Sequence, residues 1–182
     1  MKTLILSDIH GNWPALRAVL ESEADAERIL CLGDLVNYGP QSAECVAWAK
    51  RHLPSEWVIQ GNHDRALALG TVPRCAPVNR RWAEAMQTAT SALLTPELKR
   101  FLGELEPLRQ FHFGEAILVA CHSHTATEID QSLDAHFGEQ DPEWPWESDI
   151  ILCDHPDKLF VLVGHPDAVS YTHLTLPTIY SV

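Results

Sequence analysis

Positive charge is scarce in this sequence. Lysine and arginine number 13 against 25 aspartates and glutamates, a formal net charge of -12. Phosphate backbones need Lys and Arg to neutralise them, so the balance argues against a general nucleic-acid binder. It leaves room for a small phosphorylated substrate held through metal ions. Paired cysteines are missing too. Cys31, Cys45, Cys75, Cys121 and Cys153 are odd in number and scattered, with no CxxC spacing. That speaks against a disulfide framework and for free thiols in a reducing cytoplasm. No apolar run is long enough to span a bilayer. Met1 leads straight into a strand-like run, with no signal peptide, which predicts a cytoplasmic protein. There is no repeat and no low-complexity tract. At 182 residues the chain is long enough for one domain with a sizeable core.

The pattern of apolar residues predicts an α/β fold. "TLILSD" (3–8) and "RILCLGD" (28–34) read as buried strands, and "EWVIQGNHD" (56–64) as a third strand with its exit loop. Between them, Trp13, Leu16, Val19 and Leu20 recur at helical spacing, and "SAECVAWAKRH" (42–52) reads as a second helix. Such alternation predicts parallel strands joined by helical crossovers. Residues 79–94 read as a helix. Thr95-Pro96 starts another through about residue 105, with threonine as cap and proline in the first turn. "RQFHF" and "AILVACHS" flank Gly114-Glu115 like a hairpin of a second, more antiparallel sheet. Residues 123–145 are polar and irregular, "DIILCD" reads as a short helix, and "KLFVLVGH" (158–165) as the last clear strand.

Chemistry-bearing residues gather at the strand ends. Asp8 and His10 close the first strand, and their i, i+2 spacing predicts side chains on the same side. Asp34 closes the second strand, and Asn62 and His63 follow the third. Sites in open α/β sheets form outside the carboxyl ends of the strands. His122 and His165 end later strands and reach the same edge if the second sheet packs on the first. These donors are oxygen and imidazole nitrogen without thiolate, a set suited to Mn²⁺, Fe, Ni²⁺ or Zn²⁺. They are too many for one tetrahedral ion. Two ions ~3.5–4 Å apart, sharing a carboxylate and a hydroxide, use them all. Such a pair makes hydroxide available near neutral pH and offsets charge on phosphate oxygens.

"SDIHGN" (7–12), "GDLVNYGP" (33–40), "GNHD" (61–64), His122 and the "GH" at 164–165 resemble, in order, the motif series of calcineurin-like metallophosphoesterases. The resemblance runs through residue 167. It implies a sandwich of two sheets flanked by helices and a hydrolase of phosphoesters, foremost a phosphodiesterase, working by metal-bridged hydroxide attack. It implies two divalent ions, manganese foremost. By similarity Asp8 and His10 bind the first metal, Asp34 bridges, and Asn62, His122 and His165 bind the second. His63 binds no metal and serves the leaving group as catalytic acid. Asp167 stands where the family has a second histidine on the first metal, a departure from the pattern.

"GDLVNYGP" also departs from two branches of that family. Protein phosphatases and symmetrical dinucleoside-tetraphosphate hydrolases carry a phosphate-contacting arginine where Tyr38 sits. The phosphatases carry an aspartate, which orients the catalytic histidine, where Asn37 sits. Both departures resemble the small bacterial phosphodiesterase-like branch. Asn37 is then a candidate partner of His63, and Arg65, Arg74, Arg80 and Arg81 are candidate substrate contacts. The alternative is a non-catalytic metal-binding or protein-interaction module on the same fold. The presence of His63 favours the enzyme, and the acidic balance counts against a nuclease. Trp144 and Trp146 either lid a pocket or anchor a loop. "VSYTHLTLPT" (169–178) resembles a translated sequencing adapter. Residues 1–168 are therefore read as the phosphoesterase domain, incomplete at its C-terminus, and 169–182 as a non-native tail in which His173 is no ligand. Substrate identity and oligomeric state are not legible at this level.

Overall fold

Two apolar segments separated by a helix are expected to pair in parallel, and here they do. In the computed structural model, β1 (Thr3–Ser7) and β2 (Arg28–Cys31) run parallel, with Thr3 opposite Arg28 and Leu6 opposite Cys31. The structure describes residues 2–73, 77–113, 116–122, 159–163 and 179–181. Helix α1 (Trp13–Ser22) makes the crossover. It starts where the Asn12 side chain accepts the Ala15 N–H, with proline in its first turn, and it buries Leu16. Helix α2 (Ser42–His52) buries Cys45, Val46 and Ala49 and carries Lys50, Arg51 and His52 in its last turn, where the helix dipole favours positive charge.

One apolar cluster lies between the first sheet and these helices. Leu4, Leu6, Leu16, Cys31 and Val46 meet there. It extends to Leu67 of α3 (Asn62–Leu69) and to Phe101 and Leu102 of α5 (Pro96–Glu104). The Thr95 side chain caps α5 by accepting the Leu98 N–H. Between α3 and α5 runs α4 (Arg80–Leu93). The second sheet has the order β3-β4-β5. Strands β3 (Leu108–Phe113) and β4 (Ala116–Cys121) are antiparallel, and β5 (Leu159–Val163) pairs parallel to β4. Phe111 and Ala120 pack on Leu30, Leu32 and Ile59. Strand β2 thus buries Cys31 on one face and Leu30 on the other, as a near-continuous apolar run requires. This contact seats His122, at the end of β4, against the loop after β2.

The third strand is corrected. Ser55–Trp57 is a 3-10 turn, and only isolated parallel bridges follow, Cys31 with Val58 and Ile59 with Glu106. The chain switches sides within two residues. The Ile59 N–H donates to Cys31 at 2.7 Å and the Gln60 N–H to Glu106 at 2.8 Å. One bond to each neighbour makes no ladder, so an apolar run that reads as a strand serves as a wedge between layers. The exit loop is shorter than expected, because Asn62 already opens α3.

A further short strand, β6 (Ile179–Ser181), pairs parallel to the free edge of β1, with Ile5 opposite Ile179. It follows directly on the stretch that resembles an adapter, within the tail read at 169–182. Backbone pairing at an open edge accepts any extended segment, so this pairing carries no information about origin. The short helix read at 149–154 and the irregular segment with Trp144 and Trp146 lie outside the described residues.

Candidate metal centre

The loops after β1 and β2 each make an abrupt turn. Among the described residues, the non-glycine positions with positive φ are Asp8 (55°), His10 (46°), Asp34 (55°), Asn37 (72°) and Tyr38 (58°). Each such residue costs on the order of 1–3 kcal/mol and persists only where its surroundings fix it. Here the two loops fix one another. The His10 N–H donates to the Asp34 carbonyl at 2.8 Å, and the Gly11 N–H to Leu35 at 2.9 Å. The strand-like i, i+2 geometry expected of Asp8 and His10 is therefore corrected. Both residues are left-handed, and their side chains converge through that turn.

A third segment is pressed onto these two. Gly33 has φ +96°, and a Cβ there would stand 2.5 Å from the Gly61 nitrogen, while a Cβ on Gly61 would overlap the Asp34 carboxylate. Only glycine allows this approach. Asp64 then pins the segments. Its Oδ2 accepts from the N–H of Asp34 at 2.8 Å and of Gly61 at 3.1 Å, and its Oδ1 from Leu35 at 3.0 Å. The His63 N–H donates to Asp34 Oδ1 at 2.9 Å. One Asp34 oxygen is thus held by the start of α3, and the other points into the site.

Asp34 Oδ2 lies 3.6 Å from His10 Nε2 and 3.2 Å from His122 Nε2. Asp8 Oδ1 is 3.6 Å from His10 Nε2, and its Oδ2 accepts from Ser7 Oγ at 2.6 Å. Both histidines are oriented from behind. His10 Nδ1–H donates to the Val36 carbonyl at 2.8 Å, and His122 Nδ1–H to Leu32 at 2.7 Å, which turns each Nε2 toward Asp34. Asp8, Asp34 and His122 each bring a ligand atom within 4.8 Å of the others. Asn62 Oδ1 is buried with no hydrogen-bond partner. A neutral acceptor left so, between Gly61 and His63, which both press on the Asp34 carboxylate, fits a cation. With oxygen and imidazole donors throughout, the residues present fit divalent metal.

The electrostatics agree. Burial alone lowers His10, but the Asp8 carboxylate and the Asp34 charge outweigh it and raise its pKa above the ordinary value. His122 is raised in the same way, burial being overcome by its contact with Asp34 and by the Asp34 charge. Burial raises Asp34, yet the three histidines, His122 first, hold it below the usual carboxylate range. Burial and the Asp34 charge push Asp64 up to about 7, against the pull of its N–H donors. Groups raised on folding stabilise at low pH and lose that contribution as pH rises through their folded values. Asp34 acts oppositely, but only below its ordinary range. The metal-free protein is therefore expected to melt at lower temperature at pH 8 than at pH 5.5, and Mn²⁺ is expected to restore the loss at pH 8. A melting temperature that rises across this interval without metal contradicts the assignment of these shifts.

His63 is buried beside this cluster, its ring centroid 5.1 Å from that of His10. Asn37 Nδ2 lies 2.9 Å from His63 Nδ1 and 3.2 Å from Gln87 Oε1. Asn37 Oδ1 and Gln87 Nε2 are buried without partners. A half-turn of both amides exchanges these roles, since amide N and O occupy equivalent positions. With its oxygen inward, Asn37 accepts from His63 Nδ1–H and from Gln87, which leaves the ring free to carry protons on both nitrogens.

Gln87 escaped the sequence reading. The available signal was a polar residue on the inward stripe of α4, where Ala83, Gln87 and Thr90 are buried. The neighbouring Asp64 carboxylate is taken up by the backbone N–H groups of Asp34, Leu35 and Gly61. Arg65 and Arg81 are exposed, and Arg80 pairs with Glu84 at 2.9 Å. Arg74, His165 and Asp167 lie outside the described residues. Among the described cysteines, Cys31, Cys45 and Cys121 are all buried. Burial pushes Cys31 and Cys45 up to about 12, which keeps them inert.

The profile of the calcineurin-like phosphoesterase family matches residues 1–177. A symmetrical bis(5'-nucleosyl)-tetraphosphatase of Methylobacillus flagellatus is 38% identical over 73 residues, which cover 38% of this chain and 26% of that protein. Phosphodiesterase YfcE of Escherichia coli is 44% identical over 45 residues, 24% of each chain. The chain thus matches about a quarter of the length of these curated relatives. A metallophosphoesterase structure from Sphaerobacter thermophilus superposes with a TM-score of 0.50 at 32% identity, covering 65% of this chain and 46% of that one. A Pyrococcus horikoshii protein superposes at 0.53 with 22% identity, covering 79% and 60%, a likeness of fold alone. The two-sheet α/β architecture expected from the sequence is shared with these structures. With the profile running through nearly the whole sequence, the chain belongs to the calcineurin-like phosphoesterase family.

Proposed function

We propose that this chain hydrolyses phosphoesters with the help of two divalent ions, foremost as a phosphodiesterase on a small substrate. The carrying observation is Asp34 Oδ2, set between His10 Nε2 and His122 Nε2 at 3.6 and 3.2 Å. That placement would suit a carboxylate shared by two ions. Asp8 and His10 are proposed for the first ion, Asn62, His122 and His165 for the second, and Asp167 as a further ligand of the first. Bound ions of this kind acidify water and offset charge on phosphate oxygens. The chain's own residues do the rest. Asp64 holds Asp34 in register with α3. His63 gives a proton to the leaving oxygen, steadied by Asn37.

Manganese is the proposed ion. The cytoplasm is the proposed compartment, since Cys31 and Cys45 are buried thiols outside any disulfide. A screen of phosphomonoesters and phosphodiesters with and without Mn²⁺ tests the activity. Mn²⁺-dependent release of alcohol from a diester is expected. Hydrolysis of no phosphoester under any metal sinks the proposal and favours the interaction module.

The unit proposed to carry this chemistry is residues 1–168. The source gene, re-amplified across this point, is expected to depart from "VSYTHLTLPT" after residue 167 or 168 and to encode further strand sequence. A stop codon directly after Val182 in the gene itself contradicts the assignment of 169–182 to an adapter.

A further inference from the structure

Two exposed aromatic rings touch one another beside the metal centre. Tyr38 is 54% exposed and Trp82 59% exposed, and their ring centroids are 5.5 Å apart at an interplanar angle of 33°. Tyr38 in turn meets the His10 ring edge-on at 4.6 Å and lies 5.1 Å from the His63 ring. An aromatic strip therefore runs outward from the two histidines to the first turn of α4.

The backbone holds Tyr38 there against its own preference. A bulky residue at φ 58° is a genuine outlier. The turn around it is fixed on each side. The Asn37 N–H donates to Ser42 Oγ at 3.1 Å, the Gly39 N–H to the His10 carbonyl at 2.8 Å, and the Tyr38 N–H to Met86 Sδ at 3.3 Å. Strain that keeps an aromatic ring in solvent beside chemistry-bearing side chains points to a ligand contact. Arg80, in the same turn of α4, pairs with Glu84 at 2.9 Å. The strip offers flat apolar surface.

We propose that Tyr38 and Trp82 form a stacking platform for a planar aromatic group on the substrate, a nucleobase joined to the phosphate through its sugar. This rests on the hydrolase reading and adds a substrate class to it. With the phosphate at the metal centre, the sugar crosses Tyr38 and the base lies on Trp82. Stacking recognises a π face, tolerates any base and needs no positive charge. It therefore suits a chain in which basic residues are few.

Calorimetric titration of the full chain in Mn²⁺ tests this, with AMP and methyl phosphate as probes. AMP is expected to bind at least about tenfold tighter than methyl phosphate, the scale of one base stacked on an aromatic side chain. Trp82→Ala is expected to bring that ratio close to one, and Trp82→Phe to keep most of it. Trp82 is exposed, so both variants are expected to fold, as circular dichroism will show. A wild-type ratio near one, or a ratio unchanged in Trp82→Ala, overturns the platform and leaves the hydrolase reading standing. If neither phosphate binds, the platform is overturned as well, while the hydrolase reading stands or falls on the diester screen.

Discussion

Asp34→Asn is expected to lower kcat/KM for a phosphodiester by at least about a hundredfold, the scale of removing one preorganised electrostatic stabiliser. The substitution is nearly isosteric. Oδ1 still accepts the His63 N–H, so the loop keeps its shape. What changes is the group between His10 and His122. An amide there has no net charge and, through its NH₂, no lone pair for a metal. A carboxylate that serves only to cap α3 predicts a small effect instead. Wild-type activity in Asp34→Asn therefore contradicts a shared-ligand role. Asp64 guards the interpretation. Asp64→Asn puts an NH₂ group against backbone N–H donors of Asp34, Gly61 or Leu35. Its loss is expected in melting temperature as well as in rate.

Asn37→Leu is expected to cost about a hundredfold in kcat on substrates with alkyl leaving groups, the lower end of a general acid's contribution. On p-nitrophenyl esters, which leave without protonation, the loss is expected to be small. This split separates orientation of the His63 proton from general damage to the site. Asn37→Asp supplies the negative charge that Asn37 lacks. It stabilises a charged ring and is expected to extend activity to higher pH, most visibly for alkyl esters. Gln87→Leu is expected to reproduce the Asn37→Leu pattern in weaker form, because Gln87 touches Asn37 and no reacting atom. Equal losses on alkyl and aryl esters in all three variants contradict a proton-positioning role.

The sequence made some of this legible and concealed the rest for physical reasons. Apolar runs bounded by glycine or capping residues identified β1, β2 and the hairpin, and periodicity with Thr95-Pro96 identified α2, α4 and α5. That Asp8, Asp34 and His122 converge follows from their placement at the ends of such runs. The third strand failed because 58–60 bonds alternately to Cys31 and Glu106, a tertiary choice that no local pattern encodes. The left-handed turns at Asp8, His10 and Asp34 were hidden for the same reason. Asp and His tolerate the left-handed region better than most residues, but nothing local demands it, and hydrogen bonds between the loops sustain it here. Gln87 lies far from every motif, and the fold alone brings α4 to His63. Tyr38 stood out only as a departure from a pattern. Its contact with Trp82, which lies 44 positions further along the chain, comes from packing.

The central claim is that two metal ions share Asp34. The most direct measurement is the number of Mn²⁺ ions bound per chain, read by equilibrium dialysis with elemental analysis on wild type and Asp34→Asn at neutral pH. The account predicts two for wild type, and loss of at least one in the variant. One ion or none in the wild-type chain, or two retained in Asp34→Asn, contradicts it.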